Sequence, residues 1–263
     1  MSGDEIFACI LSVVIAFWRW GRWYWRMLSG RQAGPSRLLL SLVPPACALS
    51  LFICLRAWAS RDVRNDPTYL AFYLAMGAAW VGLALLFLPM FAINVRDDVV
   101  ERRNPAPAWT AAGAIAGATA CFAGANIGEG PGWWVVVFCG FLSTGGLFVS
   151  WAVVQSITGA ADTITIDRDA ATGLRLAGVL LAVGIILGRA VAGDWVSAPA
   201  TVNDFFRYAW PVLPLLACES VLGRVLRPSA QNPVPSPLVA GIIPALLYIG
   251  WAVAALMLVG PPS

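Results

Sequence analysis

Among the ionisable residues of this chain, Glu219 stands in the least polar surroundings, inside the run Leu215-Leu216-Ala217-Cys218-Glu219-Ser220. A charge at bilayer depth costs about 2.5–3.5 kcal/mol on insertion scales, so a carboxylate there must be paired, hydrated or neutral. Helix rise offers two partners. Arg224 lies about 7.5 Å further along the same helix, and Arg175 lies about 9 Å into an earlier helix counted from Asp169. Arg175 and Glu219 fall at similar depth and are expected to meet as an intramembrane charge pair. Such a pair either fastens two helices or forms a gated ion or proton site. A second set of carboxylates, Glu129 and Asp194, stands at two helix exits and reads either as solvated loop residues or as an acidic mouth for a cation. Arg189 is expected to snorkel to an interface, and Gln155 and Asn126 to bond a neighbouring helix.

Other chemistry is largely excluded. The chain has no histidine, and all 17 of its basic residues are arginine. A histidine base or metal site, a lysine Schiff base and a phosphate-loop lysine are therefore ruled out within it. The six cysteines, Cys9, Cys47, Cys54, Cys121, Cys139 and Cys218, all lie in apolar runs without a Cys-x-x-Cys pair and read as small packing residues. No catalytic residue, metal or cofactor is expected, and the reading is not an enzyme. The net charge of +3 gives no footprint for nucleic acid.

The elements that would position these residues are transmembrane helices. Hydrophobic residues make up 59% of the 263 and charged ones 12%, about half the usual charged share of a soluble domain. Seven segments have the roughly 20 apolar residues that a span needs: 38–57, 69–93, 108–125, 133–157, 174–192, 205–222 and 238–259. An eighth, 6–25, ends in a cluster from Trp18 to Arg26 suited to a headgroup interface, and either spans or lies flat. The start Met1-Ser2-Gly3-Asp4-Glu5 is acidic, unlike a secretory leader. The fold class is thus an all-α polytopic membrane bundle of eight helices, or seven if 6–25 lies at the interface.

Arginine placement orients the bundle. With eight spans, twelve arginines (Arg19, Arg22, Arg26, Arg31, Arg37, Arg96, Arg102, Arg103, Arg168, Arg175, Arg224 and Arg227) fall on one side. Five (Arg56, Arg61, Arg64, Arg189 and Arg207) fall on the other. The first side is expected to be cytoplasmic in a cell inner membrane, and the C-terminus periplasmic. The chain divides into an N-terminal hairpin (1–66), a duplicated-hairpin domain (67–227), and a proline-rich tether with the last helix (228–263).

The duplication is read from residues 101–130 and 166–195, which match at a constant offset of 65. Arg103-Asn104 aligns with Arg168-Asp169, Ala112-Gly113 with Ala177-Gly178, and Gly128-Glu129 with Gly193-Asp194. Asn104 and Asp169 are expected helix caps, with Pro105 at the first helical position. Gly113-x-x-x-Gly117, Gly124-x-x-x-Gly128 and Gly184-x-x-x-Gly188 permit close helix approach. Two spans separate equivalent positions, so the repeat is parallel.

The stretch Asp97-Asp98-Val99-Val100-Glu101-Arg102-Arg103-Asn104-Pro105-Ala106, followed by a small-residue helix, resembles the YjfL-like family of bacterial inner-membrane proteins. The likeness covers roughly residues 68–227, and Asp169, Pro105 and Pro107 depart from the family pattern. The resemblance implies a helical membrane domain of unknown function, built from two such hairpins, with a protein partner in a stress or envelope pathway. The expected role is therefore a membrane scaffold or accessory subunit, bound to the lipid bilayer and to a protein partner or a second copy. The alternative is a small ion or solute channel using Glu219 and Arg175.

Overall fold

The structure, a computed structural model, describes residues 1–28, 34–230 and 234–260, and all of its regular elements are helical. Arg31 and part of the proline-rich tether, including Pro233, lie outside the described residues. The helices are α1 (Gly3–Leu28), α2 (Pro35–Trp58), the short α3 (Arg61–Asn65), α4 (Pro67–Ala84), α5 (Pro105–Gly124), α6 (Trp133–Thr158), the short α7 (Ala160–Thr165), α8 (Ala170–Ala190), α9 (Ala198–Tyr208), α10 (Val212–Val225) and α11 (Ile243–Val259). Among the described residues, six segments are long and apolar enough to cross a membrane: Gly3–Leu28, Pro35–Trp58, Pro67–Phe91, Trp133–Thr158, Ala170–Ala190 and Leu238–Val259. The chain is a multi-pass helical membrane protein.

Two expected spans are realised differently. α5, rich in alanine and glycine, is not among these six, and it is wrapped by its neighbours along most of its length. The expected span 205–222 is broken into α9 and α10 around Ala209–Pro211. Pro211 has no N–H to continue a helix, and its ring clashes with the preceding turn. α10 has 14 residues, a rise of about 21 Å, short of the roughly 30 Å hydrocarbon core. α9 is amphipathic, capped by the Ser197 hydroxyl accepting from the Ala200 N–H, and buries only Phe205.

Contacts along the helices order the bundle into two layers. In one, α2, α5, α8 and α11 run in the same direction. Cys54 meets Ala123, Gly113 meets Ala177, Gly124 meets Gly188 and Gly178 meets Ala245. In the other, α1, α4, α6 and α10 run the opposite way. The Arg19 Nε and Trp20 Nε1 donate to the carbonyls of Gly82 and Ala78, Trp80 donates to Thr144 Oγ1, and the Arg224 Nε donates to the Ile157 carbonyl. α1 follows α4 from Glu5, bonded to Tyr69 Oη, to Arg19 beside Gly82. It therefore crosses with the bundle instead of lying flat on it.

Equivalent positions 65 residues apart adopt the same backbone. Arg103 (φ 55°) and Arg168 (φ 59°) are both left-handed, as are Gly128 (φ 112°) and Gly193 (φ 140°). The Asn104 and Asp169 N–H groups return to the carbonyls of Asp98 and Thr163. Their side chains then cap α5 and α8 by accepting from Ala106 and Ala171. At the opposite end the two exits pair with each other: Gly193 N–H donates to the Ile127 carbonyl and Trp195 N–H to that of Glu129. Asp66 caps α4 by accepting from the Thr68 N–H, and this bond holds its carboxyl below the usual range.

Candidate functional site

Arg175 and Glu219 meet in the middle of the second repeat. Arg175 sits on α8, two turns in from the Asp169 cap, and Glu219 on α10; both are 0% exposed. The Arg175 Nε lies 2.9 Å from each carboxylate oxygen of Glu219. Its Nη1 donates to the Ala240 carbonyl at 2.8 Å, and its Nη2 to Thr172 Oγ1 at 3.4 Å. The Thr172 hydroxyl in turn donates to Asp169 Oδ2 at 2.6 Å. From the last helix, Tyr248 Oη donates to Glu219 Oε2 at 2.9 Å.

Proline explains why a backbone carbonyl is available to the guanidinium. Pro244 has no N–H, so it cannot donate to the carbonyl four residues back, which is that of Ala240. Residues Leu238–Ile242 form a π-helical turn there, a local widening typical of such interruptions. Ala240, Pro244 and Tyr248 share one face at spacing four, and the segment packs on α8 by close backbone approach, Gly178 against Ala245 and Gly241 against Ala171. The cluster thus joins α8, α10 and α11 through one arginine.

The same device fastens α1. Pro44 and Pro45 in α2 free the carbonyls of Leu40 and Ser41. Trp23 Nε1 donates to the first and Tyr24 Oη to the second, each at 3.1 Å. The cluster expected to lie among headgroups is therefore divided. Arg19, Trp20, Trp23 and Tyr24 reach backbone carbonyls inside the bundle, whereas Trp18 and Trp25 face outward, with Arg19 and Arg22 over the Trp18 ring.

The other expected residues are structural in setting. Arg224 faces Ile157 and not Glu219. Arg189, expected to snorkel, donates instead to the Gly260 and Ala192 carbonyls and lies over the Tyr208 ring, closing the end of α11. Asn126 donates to the Phe122 carbonyl of α5, the helix it follows, and not to the neighbouring helix expected, whereas Gln155 accepts from the Ala161 N–H of the next helix, α7, as expected. Glu129 and Asp194 lie side by side: the Glu129 N–H donates to Asp194 Oδ1, and Glu129 Oε1 accepts from the Arg61 N–H. Glu129 borders a polar cavity of about 50 Å³ at the loop end, also lined by Ser60, Asn126 and Thr201, with room for a few waters. Among the described residues there is no cluster of three metal-binding side chains, and the described cysteines are all free thiols. Thr110, Thr119, Ser143, Ser150 and Thr158 each bond back to a carbonyl of their own helix.

Sequence reasoning missed Thr172, Ala240 and Tyr248. The signal for two of them is Pro244, which marks a freed carbonyl at Ala240 and, one turn on, a tyrosine on the same face.

Fold and site together define a polytopic helical membrane protein whose deep charges form a closed interhelical clasp. Comparison with known proteins returns no family model, no curated protein and no solved structure that matches the chain.

Proposed function

We propose that the protein is a passive membrane scaffold or accessory subunit, and not a conduit, in a bacterial-type inner membrane. The observation that carries this reading is the saturation of the deepest charges. Every nitrogen of Arg175 and both oxygens of Glu219 hold a partner drawn from three elements. A transport site must release and rebind its ion; here release would strand a buried guanidinium at a cost of several kcal/mol. Partnership with an envelope or stress system rests on the resemblance to the YjfL-like family, carried by residues 97–106 and their repeat. The test is reconstitution into liposomes. The native chain and Glu219→Gln are expected to give equal, background-level fluxes of protons, potassium and polyamine, while a discrete protein copurifies from the native host. A flux abolished by Glu219→Gln would establish the channel reading in its place.

The orientation proposed places the C-terminus in the periplasm. Arg19 and Arg175 are used inside the bundle and carry no weight at the surface. Nine described arginines (Arg22, Arg26, Arg37, Arg96, Arg102, Arg103, Arg168, Arg224 and Arg227) remain at that end, against five at the other. The outer set is partly occupied: Arg56 donates to the Arg64 carbonyl, and Arg189 to Gly260. A C-terminal fusion is expected to show alkaline phosphatase activity and no fluorescence from a cytoplasm-dependent reporter; the opposite pattern would invert the assignment.

A further inference from the structure

We propose that a second copy of this chain docks on the free face of α11, where the layer α2, α5, α8, α11 ends. That layer is assembled by one rule. Each glycine inside α5 and α8 stands where an added Cβ would overlap the backbone of a neighbouring helix in the layer, as Gly173 does against Ala106, Gly124 against Gly188 and Gly178 against Ala245 of α11. The side of α11 turned to the bundle is closed by the buried Tyr248, Ala252 and Ala255. Gly250 comes two residues after Tyr248, about 200° around the helix, and so points away from α8. No described atom lies within 4 Å of a Cβ built on it, and Leu246 and Val253 beside it are exposed. Glycine is a poor helix former. The other glycines of these helices serve close backbone approach, and Gly250 is placed to do the same toward a helix outside the chain.

Symmetry selects a second copy as the occupant. All copies cross the membrane in one sense. A two-fold axis along the membrane normal therefore sets α11 parallel to the α11 of the second copy, with every residue at the depth of its equivalent. Gly250 then meets Gly250 of the partner subunit. The seam between α5 and α8 already has this form, with two parallel helices that bring Gly124 against Gly188. The opposite edge of the layer does not match it: α2 has no glycine and is interrupted by Pro44 and Pro45. In lipid, association rests on close packing and not on a hydrophobic drive, which favours the face whose backbone is open to approach. Gly145 on α6 is open as well, but it continues no backbone seam, because the neighbouring Gly140 and Gly146 meet side chains. This self-association goes beyond the scaffold reading and does not depend on it, since background-level flux is compatible with one copy or two.

The experiment uses the full chain. Sedimentation equilibrium in density-matched detergent is expected to show a reversible dimer. Its dissociation constant should rise about tenfold in Gly250→Leu, the effect of overpacking one close contact, and stay unchanged in Gly145→Leu. In liposomes, copper-phenanthroline oxidation of Leu246→Cys should give a disulfide-linked dimer above the level reached by the native cysteines, and oxidation of Val149→Cys on α6 should not. A native chain that is monomeric at every concentration overturns the proposal. So does a dimer indifferent to Gly250→Leu, or one cross-linked through Val149→Cys in preference to Leu246→Cys; the cross-linking arm decides if Gly250→Leu does not fold. A different protein retained by the native chain and lost in Gly250→Leu, with no self-association, would assign the edge to that protein and overturn the second copy.

Discussion

Replacing Glu219 by leucine is expected to destabilise the folded bundle by about 3–5 kcal/mol, the range seen when one partner of a buried ion pair is removed. The loss arises less from the missing attraction than from the guanidinium left behind. Arg175 is fully enclosed and cannot snorkel, and its remaining bonds to the Ala240 carbonyl and Thr172 leave the Nε without an acceptor. Arg175→Met should be comparably damaging, because it leaves a carboxylate facing only the Tyr248 hydroxyl. The combined variant Arg175→Met/Glu219→Leu/Tyr248→Phe removes the charges and the orphaned hydroxyl together. It should return to within about 1–2 kcal/mol of the native chain, since apolar replacement of a whole buried network is often neutral. The Ala240 carbonyl, whose helical donor Pro244 cannot supply, accounts for a residual loss of about 1 kcal/mol. Reversible unfolding in mixed micelles, followed by tryptophan fluorescence, measures all three. Single-variant losses below about 1 kcal/mol would mean that the cluster does not hold α10 and α11 to α8.

The depth match between these two residues is legible in the sequence because both can be counted along helix rise from a cap, and a cap such as Asp169 is a local signal. The repeat is legible for a similar reason: Asn104 and Asp169, Gly128 and Gly193, each occupy backbone positions with strong residue preferences. What could not be read is lateral. Hydropathy along 205–222 is continuous, and a sliding window is blind to the N–H that Pro211 lacks, so one span is expected where two helices form. The tryptophans and arginine of α1 have the composition of an interface belt, yet four side chains from Arg19 to Tyr24 are spent on carbonyls of α2 and α4. Knowing that Pro44 and Pro45 free two carbonyls does not say which helix supplies the donors. Tyr248 escapes notice on the same ground, because its partner lies 29 residues away on a helix whose neighbour the sequence does not name.

The second large effect concerns the seam between α5 and α8. A Cβ added at Gly124 would overlap the Gly188 backbone, one at Gly184 the Gly117 backbone, and one at Gly113 the Ala177 backbone. Backbone cannot rotate aside, so the helices themselves must separate. By contrast, a Cβ at Gly146 would meet only the ends of the Leu187 and Phe205 side chains, and one at Gly145 would meet nothing within 4 Å. The substitutions Gly145→Ala, Gly146→Ala and Gly124→Ala should therefore form a graded series. The first is expected to be neutral or stabilising by up to about 1 kcal/mol, because glycine is a poor helix former. The second should lose about 1 kcal/mol, and the third about 3 kcal/mol, the upper end of overpacking. Gly124→Leu should prevent the two repeats from closing on each other. In a membrane this seam has no hydrophobic drive behind it, since lipid is as apolar as the helices; its strength is close packing alone. That is why one methyl group at Gly124 is expected to do as much harm as an orphaned charge at Arg175. Thermal unfolding in detergent ranks the series, and a Gly124→Ala protein as stable as Gly145→Ala would show that the repeats are not held by backbone contact.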